Sequence, residues 1–402
     1  MAIYLDHAAT TPMTAPVIAA YTAALTVVGN PASIHSQGQQ AKRMLEEARE
    51  QVAAAVGADS VEVTFTSGGT EAINLAVKGL FWARNDQGGS SDQGGSSLSR
   101  SHRRDRILVT RAEHHATIDA VEWLAAHEGA VIDWIPVDAV GRIDLNYLAS
   151  ALADDVALVT TLWANNEVGT IQPVAEITAL AAAHGVPVHV DAVSALGYLP
   201  IDFAASGAAA LSISAHKIGG PVGVGALVIA RSATVTPLIH GGNQQRSRSG
   251  TQDAAGAVAF GVAAAGAAVL DVVLLRTLRD RLIAGIQSAV PTAILRGNPI
   301  DRLPGNAHFT FPGCEGDSLL FLLDAAGFSV STGSACQAGV PEASHVLLAM
   351  GVPEADARGA LRFTLGHSST AEEVDALVAA LPGAVAQARS AGYADRATTL
   401  GH

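Results

Sequence analysis

Cysteine is nearly missing from this chain: Cys314 and Cys336 are the only two among 402 residues, and no C-x-x-C pair occurs. A disulfide scaffold is excluded, and a reducing, cytoplasmic setting is the default expectation. Basic residues are also scarce, 24 against 37 acidic, and the formal charge of −13 argues against nucleic acid or an anionic membrane as the main partner. The local cluster of Arg100, Arg103, Arg104 and Arg106 reads as a solvated loop. Metal-ligand spacing is lacking too. Fourteen histidines include no H-E-x-x-H and no Cys/His set, so no metal is expected. The opening MAIYLDHAATTP does not have the charged-then-apolar order of a signal peptide. The one long run without a polar side chain, Ala254 to Leu270, is mostly Ala and Gly, short for a membrane span and closed by Asp253 and Asp271. It reads as a buried helix.

What is present is a core. Hydrophobic residues make up 49% of the chain, enough at this length for two domains, or one large domain with a smaller satellite. Residues 41–56 carry apolar side chains at helical spacing, whereas Val61, Val63 and Phe65 alternate like a strand. Further apolar runs at 107–110, 156–163, 186–190, 209–213 and 225–229 are separated by helix-compatible segments such as 174–184. Strands alternating with helices imply an α/β fold with a mostly parallel sheet covered on both faces. The pattern stops between 85 and 105, where the hexapeptide DQGGSS is duplicated, which reads as a surface loop. A long Ala/Leu-rich helical region is expected from about 252 to 288. A smaller α/β unit follows, ending in a helix over about 371–390. The expected division is a large domain over 16–264 and a small one from 1–15 and 265–402.

Chemically capable residues fall at the ends of the apolar runs, where open α/β sheets collect their ligands. VTFT runs into SGGTE, VTTLWA into NNE, VPVHV into Asp191 and LSIS into AHK. Parallel strands would bring Thr70, Asn166, Asp191 and Lys217 to one crevice. The two glycines of SGGTE precede a helix, which suits either a simple cap or a phosphate site. Asp191 is either a turn aspartate or a carboxylate that keeps a pyridine nitrogen protonated. Lys217 is a Schiff-base candidate. Together a phosphate cradle, a pyridinium partner and an amine meet the demands of pyridoxal 5'-phosphate (PLP), and the combination is more specific than any member. His114 and His115 follow a further strand, as buried histidines or as a ring stacked on the cofactor. Cys336 lies in STGSACQAGV, whose small residues offer little packing, so it reads as an accessible nucleophilic thiol. Cys314 reads as a buried small hydrophobe. Arg362 in ALRFTLG is either an ion-pair partner or a bidentate clamp for a substrate carboxylate.

These motifs, with YLDHAATTP, GNPASIHSQG, TFTSGGTEAINLAVKG, EHHATIDA, NNEVGT, HVDAVSALGYLPID, SAHKIGGPVGVGAL, RSGT, STGSAC and LRFTLGHSST, run through nearly the whole chain. The sequence resembles the cysteine desulfurases of the class-V aminotransferase group, of the iron–sulfur cluster assembly type with a long catalytic-cysteine loop. The resemblance implies a PLP-dependent transferase of fold type I, with a mostly parallel seven-stranded sheet and a smaller C-terminal α/β domain. It implies that Lys217 holds PLP, Asp191 pairs with the pyridine nitrogen and His114 stacks on the ring. Gly69, Thr70, Ser214 and His216 would bind the phosphate, with Thr251 reaching in from the partner of a homodimer. Asn166 would touch ring and substrate, Arg362 the substrate carboxylate, and Cys336 would take up sulfur as a persulfide from L-cysteine, leaving alanine. His114 is the candidate for generating the Cys336 thiolate. A sulfur-acceptor protein such as an iron–sulfur scaffold is the implied partner. Two departures stand out: Ser194 replaces the family's glutamine near the cofactor's ring oxygen, and GGNQQ at 241–245 replaces G-G-G-x-E. Selenocysteine lyase, another PLP-dependent C–S lyase or aminotransferase-type relative, and a non-catalytic sulfur relay are the alternative readings.

Overall fold

The computed structural model describes residues 2–86, 103–267, 270–333 and 343–390. Twelve strands occur among them: β1 (Ile3–Tyr4), β2 (Val63–Thr66), β3 (Arg106–Thr110), β4 (Val131–Ile135), β5 (Val156–Leu162), β6 (Val188–Asp191), β7 (Ala210–Ser214), β8 (Gly225–Ile229), β9 (Ile294–Arg296), β10 (Asn306–Thr310), β11 (Phe328–Ser329) and β12 (Ala360–Thr364). Seven of them form one sheet in the order β2-β8-β7-β6-β5-β3-β4. The neighbours from β4 to β7 pair in parallel, and only β8 runs against the rest.

The strands read most easily from sequence are the central ones. Every residue of β5, VALVTTL, is buried, as expected of a strand covered on both faces. The edge strand β4, VIDWI, gives no such signal, because Val131 is exposed and Asp133 interrupts the run. Arg106 is the first residue of β3 rather than part of a solvated loop. Its guanidinium lies 2.8 Å from Asp133 and 2.9 Å from Asp155, tying the starts of neighbouring strands. Arg100 and all of the DQGGSS repeat but its first residue lie outside the described residues.

The apolar run after residue 253 forms a helix over Ala254–Ala267 that packs along the helix Ser36–Ala55. Small residues permit this close approach: a Cβ added at Gly261 would lie 3.0 Å from the Ala48 Cα. The expected continuous helical region is two helices. The second, Val272–Ala289, is set at 75° to the first, and the Asp271 side chain caps it by accepting from the Leu274 N–H at 2.8 Å. No single helix among the described residues is long and apolar enough to cross a membrane. This bent pair passes by length and composition, but Ala257, Phe260 and Ala264 of its first member lie in the core against the large sheet.

A second core gathers Leu275, Leu282, Phe309, Phe363 and Leu377 around the antiparallel sheet β9-β10-β12, and Leu5 from the start of the chain joins it. The N-terminal segment then crosses back towards the large sheet. Asp6 bridges to Thr364, and the Thr11 N–H donates to the His216 carbonyl at 2.8 Å.

Backbone contacts leave no slack where β8 passes the turn after β2. A Cβ at Gly225 would sit 2.7 Å from the Gly68 carbonyl carbon and from the Ile213 carbonyl oxygen, neither of which can move aside. Gly225→Ala is therefore expected to lower stability by about 1–3 kcal/mol through overpacking, read as a lower midpoint in urea denaturation. An unchanged midpoint would contradict this packing.

Candidate active site

The carboxyl ends of β5, β6 and β7, with the turn after β2, open onto a cavity of about 450 Å³. The topology explains why. β6 and β7 are parallel neighbours, with Asp191 paired to Ser212, so Asp191 and the residues following Ser214 emerge on the same rim. Lys217 comes off β7 through a single tight turn, Ala215–Lys217. The cavity is lined by Asn166, Asp191, Ser194, Ser214, His216 and Lys217 from these strand ends, and by Gly69 and Thr70 from the start of the helix Gly69–Asp86. His114 and Arg362 also face it. Thr251 is exposed and does not line this cavity of its own chain. Cys336 lies outside the described residues, as do its neighbours 334–342. Cys314 is buried, its Sγ 3.8 Å from the Val385 carbonyl, and burial raises its thiol, as suits an inert packing cysteine.

The Lys217 ammonium donates to the carbonyls of Ala8 and, at 3.0 Å, Ala9, so the N-terminal segment forms one wall of the site. Burial and the nearby Arg362 guanidinium bring this amine down to about 8, against the pull of Asp6 and Asp191. A lysine poised there is neutral in part near pH 7, as a nucleophilic amine requires. Asp191 is buried, with one oxygen accepting from the Val193 N–H at 2.9 Å. Burial pushes its carboxyl up to about 6, opposed by that hydrogen bond and by Lys217.

His114 caps the helix His115–Glu128, its Nδ1 accepting from the Ala116 N–H at 3.1 Å. Burial, Lys217 and neighbouring histidines depress the ring to about 4, so it stands neutral at physiological pH. A neutral ring of this kind can stack on a flat aromatic surface. His216 is likewise lowered to about 4, by burial and Lys217.

Arg362 takes the ion-pair reading in this structure. Nη2 pairs with Asp6 at 2.7 Å, Nη1 donates to the Asn166 carbonyl at 3.0 Å, and Nε is buried without a partner among the described residues. The guanidinium is thus preset beside Asn166 while still facing the cavity. Asp6 and the carbonyls of Ala8 and Ala9 are functional groups that strand-end reasoning missed. Their signal was the chemically dense segment YLDHAATTP, whose role depends on a contact more than 200 residues away in the chain. Glu113 was also passed over. It is buried beneath the site, its carboxyl accepting from the Leu162 N–H at 3.2 Å and Thr110 at 3.1 Å, and burial and Asp191 raise it to about 8.

A phosphorylated pyridine fits these donors. Ser214 Oγ is buried with no hydrogen-bond partner among the described residues, beside Gly69 at the N-terminus of an 18-residue helix. Free N–H groups and the helix dipole make that end a site for an anion. A Cβ at Gly69 would meet Val193 Cγ2 at 2.9 Å, so the backbone there is held tight against the residue that follows Asp191 and Ala192. Because Asp191 titrates near 6 in the unliganded protein, falling pH removes the negative partner that a pyridinium needs. PLP affinity, followed by absorbance, is expected to fall as pH drops through about 6. Asp191→Asn should bind weakly at every pH and lose that dependence; a pH-dependent loss persisting in the variant would place its origin elsewhere.

Comparison with known proteins agrees with this geometry. The chain is 52% identical over 401 residues to an "IscS-like cysteine desulfurase" of Mycobacterium tuberculosis, covering 97% of this chain and 98% of that one. Among solved structures it superposes on a NifS-like protein with a TM-score of 0.85 at 32% identity, covering 96% of this chain and 100% of the other. It superposes on SspA in complex with cysteine with a TM-score of 0.76 at 28% identity, covering 91% and 99%. Residues 3–377 match the aminotransferase class-V family model, and the chain belongs to that family.

Proposed function

We propose that this protein is a PLP-dependent cysteine desulfurase that moves the sulfur of L-cysteine onto Cys336 and releases L-alanine. The observation that carries the reading is the meeting of Lys217, Asp191 and the unpartnered Ser214 hydroxyl in one cavity. The relatives named as cysteine desulfurases support it.

Bound PLP supplies an electron sink for the substrate's α-carbon. The residues of the chain do the rest. Gly69, Thr70, Ser214 and His216 would hold the phosphate, Asp191 would keep a proton on the pyridine nitrogen, and the neutral His114 ring would stack on the cofactor ring. The Lys217 amine would tether the cofactor and, when free, would carry the substrate's α-proton. Arg362 and Asn166 orient the substrate carboxylate. The Cys336 thiolate attacks the cysteine sulfur: an S–S bond forms, the substrate C–S bond breaks, and its electron pair remains with the three-carbon fragment. That fragment takes up one proton at the β-carbon, regains the α-proton carried by Lys217 and leaves as alanine, so L-cysteine plus the thiol becomes L-alanine plus the persulfide.

The same reading makes the protein cytoplasmic and dimeric, with domains at 16–264 and at 1–15 plus 265–402. Thr251, exposed on its own chain, would complete the partner's phosphate site. A protein such as an iron–sulfur scaffold would accept the sulfur.

Lys217→Ala is expected to abolish alanine formation and borohydride capture of the cofactor. Cys336→Ala should keep the absorbance response to cysteine but lose the added sulfur and most of the alanine. Mass spectrometry of the Cys336 peptide reads the sulfur directly. Full alanine production by Cys336→Ala would instead make the enzyme a simple lyase.

A further inference from the structure

Glu167 directly follows Asn166 in NNEVGT, yet its side chain turns away from the cavity and is buried. Its backbone is fixed on both sides. Its N–H donates to Asn165 Oδ1 at 2.9 Å, and its carbonyl accepts from Asn306 Nδ2 at 2.9 Å. The carboxylate meets two residues that are distant from it but close to each other in sequence. Oε2 accepts from the Ser344 hydroxyl, and Ser344 in turn accepts from the Leu347 N–H at 3.2 Å to begin the helix His345–Ala349. Gly333, at φ +87°, packs against the same carboxylate, where a Cβ would lie 3.5 Å from Oε2 and 3.3 Å from His308 Nε2. A side chain at 333 would adopt a strained backbone, touch the Glu167 carboxyl and press slightly on His308. Next to Ser344, His345 Nε2 pairs with the Glu113 carbonyl at 2.8 Å, and its ring lies 4.5 Å from that of His115.

Gly333 and Ser344 bracket the stretch of chain that carries Cys336. Ser344 therefore rests on a buried carboxylate, whose chain neighbour Asn166 lines the cofactor cavity, and Gly333, held by its own N–H to Ser331 Oγ at 3.0 Å, lies close to the same carboxylate. We propose that Glu167 is a positioning residue for the sulfur-transfer step, holding the Ser344 end of the Cys336-bearing segment in place beside Asn166, close to where the segment begins at Gly333. This inference rests on the desulfurase reading and adds a residue to it. Glu167 touches neither cofactor nor substrate, so its loss should spare the chemistry at the substrate's α-carbon. It should slow the attack of Cys336, because displacement of a reacting group by about 1 Å costs up to about a hundredfold in rate.

A single-turnover experiment on the PLP-loaded enzyme separates the two. Cysteine is added, the cofactor's absorbance change reports substrate engagement, and quenched mass spectrometry reports sulfur on Cys336. Glu167→Ala and Ser344→Ala break the same contact from opposite sides. Each is expected to leave the amplitude and half-saturation of the absorbance change within about twofold while slowing sulfur appearance about tenfold or more. Glu167→Gln keeps an acceptor for Ser344 and is expected to fall between wild type and Glu167→Ala. The double variant should be no slower than the slower single one, since one contact cannot be lost twice. Parallel loss of both signals, or no loss of either, would overturn the proposal. Wild-type enzyme that engages cysteine without sulfur reaching Cys336 would overturn the desulfurase reading itself.

Discussion

Parallel pairing of β5, β6 and β7 in a fixed register is the constraint on which the site depends. Leu162 is opposite Asp191, and Asp191 opposite Ser212, so the strands end almost level. Side chains alternate faces along a strand, and a slip of one residue would turn Asp191 to the other face of the sheet. The register is held by cores on both faces, with β5, β6 and β7 buried throughout. Asp191 and Lys217 can share one cavity only because that packing leaves the strands no alternative alignment.

The cavity's electrostatics follow from the same burial. A carboxylate and an amine at its rim are both drawn towards neutrality, Asp191 up to about 6 and Lys217 down to about 8. Desolvation is the first cause in each case, and it acts against the charged form whatever its sign. His114 is lowered for the same reason. An imidazole kept neutral suits contact with a flat aromatic ring.

The two departures from the family pattern have different structural meanings. Ser194 lies in the cavity wall, where the resemblance leads one to expect the longer glutamine. Gln245, where the resemblance leads one to expect a carboxylate, has a neutral task. Its amide accepts from the Phe65 N–H and donates to the Phe65 carbonyl, each at 2.9 Å, acting as an extra ladder rung on the free edge of β2. A carboxylate could accept there but not donate.

The residue order alone determined the α/β class, the central strands and the convergence of Thr70, Asn166, Asp191 and Lys217, because buried parallel strands announce themselves as apolar runs and polar residues at their ends stand out. The edge strand β4 was not legible, since a half-exposed strand interrupted by Asp133 lacks that contrast. Nor was the division of the Ala-rich region into two helices at 75°, which capping by Asp271 and packing against Ser36–Ala55 decide. Tertiary structure alone decided that Ala8 and Ala9 hold Lys217, that Arg362 is already engaged by Asp6, and that Ser344 bonds Glu167. Each of these contacts joins residues separated by most of a domain. Periodicity reports what one segment buries, whereas partners brought together by folding leave no local trace in either segment.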